Sequence, residues 1–234
     1  MGRADTLSQA RLELSRERLI SSLRDQAGKG DFALADTVLS AMRCVPRERF
    51  LSRALRAQAY DDIALPIGLD QTLSQPTMVA WMTSLLALGG GERVLEIGAG
   101  SGYQASILSK LLPRGQLYTI ERHPLHARRA RRRLAALGLR NVEVITGDGS
   151  KGLPEHAPYD RILVTAGAPT IPTALASQLA AQGRMIIPVG ARDMQELLSV
   201  ERSADGRISI RRHGHCSFVP LIGRGGWHAD EAAR

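Results

Sequence analysis

Aromatic residues are scarce in this 234-residue chain: three Phe, four Tyr and two Trp, 4% in all. A groove that grips single-stranded nucleic acid by stacking bases on rings has little here to be built from. Cysteine is scarcer still. Cys44 and Cys216 stand far apart and suit reduced thiols in a cytoplasmic protein better than a bridge. Long apolar runs are missing too. The longest uncharged stretch, 162–183, holds Pro169 and Pro172 and does not read as a membrane span. Arg3, Asp5, Arg11 and Glu13 leave no apolar segment for a secretory signal. There is no repeat and no low-complexity tract.

What is present is enough for a globular core, with 44% hydrophobic residues and a length that suits one domain with an N-terminal addition. The expected division is 1–75 for N-terminal helices and a substrate-side loop, 76–223 for the core domain, and 224–234 for a tail. The net charge of +8 invites a nucleic-acid reading. Its densest cluster, Arg128, Arg129, Arg131, Arg132 and Arg133, lies beside Ala127, Ala130, Leu134 and Leu137, which recur at helical spacing. The arginines fall off that buried stripe, so the sequence predicts a solvated outer face.

Residues 1–15 read as a loosely held extension. Leu19, Ile20, Leu23 and Ala27 predict a helix ending near Gly28-Lys29-Gly30, and Leu34, Val38, Met42 and Val45 a second, stopped by Pro46. Residues 57–75 show no clear period. Met78, Met82, Leu85 and Leu86 predict a helix opened by Ser74-Gln75-Pro76 and closed by Gly89-Gly90-Gly91. Beyond Arg93, strands are expected at 93–97, 116–121, 141–146, 160–165 and 184–188. Helices are expected at 102–112, 124–138 and 172–181, with mostly loop over 147–159. Two further strands, 195–201 and 207–213, would be joined by Ala204-Asp205-Gly206. This alternation predicts a mostly parallel α/β sheet, with ligands beyond the carboxyl ends of its strands.

One such strand end is Val94-Leu95-Glu96-Ile97-Gly98-Ala99-Gly100-Ser101-Gly102: apolar residues, an acid, then three glycines at alternate positions before a helix. Glycines let the backbone approach a ligand, and the helix start offers unpaired N–H groups. Glu96 would repel a pyrophosphate but suits a ligand carrying an amino group and a sulfonium. In this the loop resembles the S-adenosylmethionine loop of Rossmann-like methyltransferases, which implies cofactor contacts at Glu96, Gly98, Ala99, Gly100, Ser101 and Gly102. Glu121, 23 residues after Gly98, either accepts from ribose hydroxyls, with Arg122 beside it, or is simply an exposed carboxylate. Asp148, in Gly147-Asp148-Gly149, either accepts from the adenine amino group or closes an ordinary turn. Thr165 completes the set of cofactor candidates at a fourth strand end. No metal site is expected, because strand alternation puts His213 and His215 on one face and Cys216 on the other.

Outside the loop, several stretches resemble the protein-L-isoaspartate (D-aspartate) O-methyltransferase family. They are Ala41–Phe50, Ala64-Leu65-Pro66-Ile67-Gly68, Gln71-Thr72-Leu73-Ser74-Gln75-Pro76, Val164-Thr165-Ala166, Ile187-Pro188-Val189-Gly190 and Phe218-Val219-Pro220-Leu221. The likeness runs from about Arg16 to Gly223, and its Thr-x-Ser-x-Pro element is specific to that family among methyltransferases. It implies methyl transfer from S-adenosylmethionine to the free α-carboxylate of isoaspartyl residues in damaged proteins, initiating repair. It also implies a catalytic position at Ser74 with Thr72 nearby, and substrate contacts at Gln75, Ala64 and Ile67. An α-carboxyl of pKa roughly 3.5 is already ionised at neutral pH, so no general base is required. Ser74 then either orients the carboxylate or caps the following helix.

Three positions depart from the family's pattern: Asp70 where Gly is usual, Thr77 where a larger residue is common, and Ile222 where Thr is usual. They leave room for a related enzyme acting on aspartate of a modified peptide or on another carboxylate. A nucleic-acid methyltransferase fits less well, since Thr165-Ala166-Gly167-Ala168-Pro169 lacks the Asn/Asp-Pro-Pro-aromatic motif of amino-group enzymes. The expected protein is a cytoplasmic monomer acting on isoaspartyl proteins, with no nucleic acid or membrane partner.

Overall fold

The computed structural model describes residues 3–28 and 32–228. Lys29 and Gly30, where the first helix was expected to end, lie outside the described residues, as does the tail beyond residue 228. Residues through Ser84 form one compact unit and those from Leu85 another.

In the first unit, α1 (Arg3–Ala27) is continuous, so the expected loose extension is a helix from Arg3 onward. The Arg, Leu, Glu, Gln and Ala of this stretch favour helix without a core to pack on. Full burial begins only at Leu19, Ile20 and Leu23, while Leu14 is exposed. That is why periodicity gave no signal earlier in the chain. Helix α2 (Asp36–Cys44) buries Val38, Leu39, Ala41 and Met42 and ends where Val45, extended before Pro46, leaves helical space. Two 3₁₀ turns follow at 47–50 and 53–58. The aperiodic region resolves into an antiparallel hairpin, β1 (Leu65–Gly68) and β2 (Gln71–Leu73), pairing Leu65 with Leu73. Strands of four and three residues are too short to show a period. Helix α3 (Pro76–Leu85) follows.

The second unit is one seven-stranded sheet. Its strands are β3 (Arg93–Ile97), β4 (Gln116–Glu121), β5 (Val142–Thr146), β6 (Tyr159–Val164), β7 (Leu179–Gly190), β8 (Gln195–Arg202) and β9 (Ile208–Cys216). Their order is β5-β4-β3-β6-β7-β8-β9, parallel from β5 to β7 and antiparallel beyond. The chain runs outward from β3 to β5, then returns to β6 on the other side of β3. That reversal opens a crevice beside the end of β3, where α/β sheets bind ligands. The Rossmann-like α/β fold expected from the sequence is the one found. Leu95, Ile97, Ile120, Ile162, Val164, Met185 and Ile187 form the core of one sheet face. Full burial of a side chain of this size stabilises by roughly 1.5–3 kcal/mol.

Helices α4 (Tyr103–Leu111) and α5 (Pro124–Ala136) stand where expected. The helix expected over 172–181 is cut to α6 (Thr173–Ser177). The carbonyl of Gln178 accepts from Tyr159 N–H at 2.9 Å, so the chain joins the sheet ladder and β7 starts two residues after α6 ends. Strand β9 carries a bulge, with Leu197 opposite Gly214 but Leu198 opposite Arg212. His213 is the extra residue, and its Nε2 lies 2.7 Å from Ser199 Oγ. The strict alternation assumed for His213, His215 and Cys216 therefore does not hold. Among the described residues, no helix is long and apolar enough to cross a membrane.

Candidate active site

The glycine loop between β3 and α4 is fixed from three sides. Gly98 and Ala99 donate N–H bonds to Ile120 O at the end of β4. Thr165, just past β6, donates its N–H to Ile97 O and its hydroxyl to both Ile97 O and Gly98 O, each at 2.9 Å. Gly98 has φ +98°, and a Cβ there would overlap Thr165 Oγ1. Only glycine meets both conditions. Gly102, the N-cap of α4 at φ +89°, sits so close to Ala130 of α5 that a Cβ would meet it at 3.3 Å. Ser101 is buried, with its Oγ accepting from Tyr103 N–H and its carbonyl accepting from Arg133 Nη1 at 3.0 Å.

Three acids stand at successive strand ends in different states. Glu96 is fully buried, and its Oε2 accepts from Thr119 Oγ1 on β4. Its Oε1 has no hydrogen-bond partner among the described residues. Burial pushes its carboxyl up to about 8, with nearby Glu121 adding to the rise and the Thr119 bond opposing it. An unsatisfied buried acceptor costs about 1–3 kcal/mol, so this atom awaits a donor. Glu121 uses both oxygens on the loop: Oε2 accepts from Gly100 N–H at 2.7 Å and Oε1 from His123 N–H at 2.8 Å. It is nearly buried, which corrects the reading of a merely exposed carboxylate. A carboxylate has about four acceptor positions, so room for ribose hydroxyls remains. Asp148 is the most committed. Its Oδ1 accepts from the N–H and hydroxyl of Ser150, and its Oδ2 accepts from Arg224 N–H at 3.1 Å. Partial burial alone would raise its carboxyl, but these bonds and nearby Lys151 bring it below the usual range. Gly147 ties this turn to β4 through its N–H to Glu121 O, and Arg122 is exposed.

The segment beyond β9 closes over these ends. Gly223 lies against Asp148, and Trp227 Nε1 donates to Gly167 O at 3.1 Å, with Arg192 stacked on its ring. The sequence offered no signal for these contacts, because Ile222–Trp227 has no period. The arginine cluster needs a correction. Arg128, Arg129 and Arg132 are exposed as expected, but Arg133 is half-buried on Ser101 O and Arg131 Nε and Nη2 both donate to Val144 O. Helical position predicts exposure of the stem, not the reach of a long side chain to a neighbouring carbonyl.

The substrate-side candidates all lie in the first unit. Thr72 is exposed on β2 opposite Pro66, Ala64 is exposed, and Ile67 is half-buried at a register break in β1. Gln75 offers its carbonyl to Val79 N–H. Ser74 is half-buried, and its carbonyl accepts from Arg47 Nη2 at 2.9 Å. Its hydroxyl makes no hydrogen bond among the described residues. The helix start it was considered to cap is served by Asp62, whose Oδ1 accepts from Thr77 N–H at 2.9 Å and Oδ2 from Thr77 Oγ1 at 2.6 Å. The capping reading of Ser74 is therefore set aside. Asp70, at φ +56° in the hairpin turn, occupies left-handed backbone where glycine is favoured.

Residues 14–226 match the family model described as protein-L-isoaspartate(D-aspartate) O-methyltransferase. A protein-L-isoaspartate O-methyltransferase of Methanopyrus kandleri is 50% identical over 220 residues, covering 93% of this chain and 96% of its own. One from Syntrophotalea carbinolica is 52% identical over 193 residues, covering 82% and 88%. A solved protein-L-isoaspartate O-methyltransferase aligns with TM-score 0.80 at 30% identity, over 90% of this chain and 67% of its own. A Plasmodium falciparum structure of similar description, in complex with S-adenosyl-L-homocysteine, aligns with TM-score 0.76 over 88% and 98%. At 23% identity, that last likeness is one of fold.

Proposed function

This chain belongs to the protein-L-isoaspartate (D-aspartate) O-methyltransferase family, and on that premise we propose how its own residues divide the work. The activity is methyl transfer from S-adenosylmethionine to the free α-carboxylate of L-isoaspartyl residues in damaged proteins and peptides, the step that initiates repair. S-adenosylmethionine supplies a methyl group already activated on a positively charged sulfur. The described residues suit it. Glu96 Oε1 is a buried acceptor lacking a donor, which an amino group would supply. Gly98, Ala99, Gly100, Ser101 and Gly102 offer a backbone without obstructing side chains. Glu121 holds that backbone and has acceptor capacity for ribose hydroxyls. Thr165 fixes the first glycine from behind, and Gly147, Asp148 and Arg122 border the adenosyl side.

Ser74 orients the substrate carboxylate by donating its hydroxyl, with Thr72, Gln75, Ala64 and Ile67 on the substrate side. The observation that carries this is the division of labour at α3: Asp62 caps the helix, Arg47 holds the Ser74 carbonyl, and the Ser74 hydroxyl stays uncommitted. Catalysis then rests on placement and exclusion of water rather than proton transfer, because the attacking oxygen is already anionic. The same reading has the protein acting as a cytoplasmic monomer without nucleic acid. The test is transfer of labelled methyl to matched peptides bearing isoaspartate, aspartate or an amidated carboxyl. Label on isoaspartate alone, lost at least tenfold in kcat in a folded Ser74→Ala variant, is expected. Equal label on aspartate would overturn the substrate, and full turnover by Ser74→Ala would overturn the role of the serine.

A further inference from the structure

Arg47 has no solvent exposure at all, an expensive place for a guanidinium. Its Nε donates to Ala59 O at 2.8 Å, and Nη2 donates to Ser74 O at 2.9 Å and reaches Ile63 O at 3.5 Å. Charge-assisted bonds to carbonyls of separate segments offset that burial and pin the segments to one another. Asp62, the residue before Ile63, fastens the same stretch again through Thr77 N–H and Oγ1. A carboxylate at a helix N-terminus also meets the favourable end of the helix dipole. Between the two anchors lie only Gln75 and Pro76, and the buried Pro76 has its φ fixed by its ring.

We propose that Arg47, Asp62 and Thr77 form a clasp that sets the position of Ser74, making them positioning residues for the methyl transfer. This rests on the reading of Ser74 given above. It also accounts for Thr77, where the family more often carries a larger residue: the hydroxyl takes the second oxygen of Asp62 and extends to Gln26 Oε1 at 3.3 Å. Loss of the clasp lets Ser74 shift while leaving its chemistry intact, and displacements of about 1 Å can cost up to 10²-fold in rate.

The experiment is a double-mutant cycle read in kcat, in KM for an isoaspartyl peptide, and in S-adenosylmethionine binding by calorimetry. Asp62→Ala is expected to lower kcat about tenfold in the wild-type background and less than twofold with Ser74→Ala, with cofactor affinity unchanged. Thr77→Val should follow Asp62→Ala, and Thr77→Ser should restore most of the rate. Equal losses in both backgrounds would overturn the clasp, as would failure of Thr77→Ser to recover. Should Asp62→Ala fail to fold by circular dichroism, Thr77→Val, which removes one hydroxyl, carries the cycle alone. Full turnover by Ser74→Ala on its own is a separate result, one that sinks the serine's role before the clasp is consulted.

Discussion

Replacing Gly98 by Ala tests the glycine loop most directly. The residue sits at φ +98°, and the added methyl would enter the space of Thr165 Oγ1. Holding a non-glycine residue in such backbone costs of order 1–3 kcal/mol, and forcing a methyl into filled space adds about 1–3 kcal/mol. A total loss of about 2–5 kcal/mol is expected, against a whole-domain stability of roughly 5–15 kcal/mol. The two parts separate. Thr165→Ala removes the overlapping oxygen and costs about 1–2 kcal/mol for its bonds to Ile97 O and Gly98 O. In that background Gly98→Ala should cost only the backbone part, giving a coupling of about 1–3 kcal/mol. Urea unfolding with unchanged m-values measures all four proteins, and calorimetry follows S-adenosylmethionine, whose Kd should rise at least tenfold in Gly98→Ala. Strict additivity, or a Gly98→Ala loss below about 0.5 kcal/mol, would refute the account of how the loop is held.

Glu96 makes stability depend on pH. Its carboxyl is raised to about 8 by burial, so the fold favours the protonated form. The contribution is therefore complete below the ordinary carboxyl value of 4.5 and is lost as pH rises through about 8. Glu96→Gln should remove that slope, and parallel urea midpoints for the two proteins between pH 5 and 9 would contradict it. Asp70→Gly should stabilise by about 0.5–1 kcal/mol, because glycine adopts φ +56° without strain, and an unchanged midpoint would argue against a strained turn. Arg133→Met keeps the apolar stem but drops the bond to Ser101 O. It should cost about 1 kcal/mol and weaken cofactor binding several-fold by calorimetry, whereas exposed Arg132→Met should change neither.

The strand–helix alternation after Arg93 was legible because each parallel strand is a short apolar run and each helix carries a stripe. The strand ends, and with them Glu96, Glu121, Asp148 and Thr165, followed from that alternation. What escaped depends on contacts between distant residues. The β1–β2 hairpin is too short for periodicity, and the start of α1 had no buried stripe to betray it. Asp62 gave no hint that it caps α3, because the cap comes from 15 residues upstream rather than from the adjoining Ser74. Nor did α6 announce its early end, since Leu175 and Leu179 are spaced as one helical face yet Leu179 belongs to a strand. Arg47 looks like a surface residue in composition; only its carbonyl partners reveal a buried one.

Asp148 has one oxygen given to Ser150 and the other to the main chain at Arg224. Whatever draws on that carboxylate draws on the far end of the polypeptide as well. Thermodynamic reciprocity follows: an adenosyl ligand that competes with Arg224 loosens the terminal segment by the same factor by which that segment weakens the ligand. One that leaves the bond intact gains a ready-made wall. Protease sensitivity near Arg224, with and without nucleoside, would read out which sign nature chose.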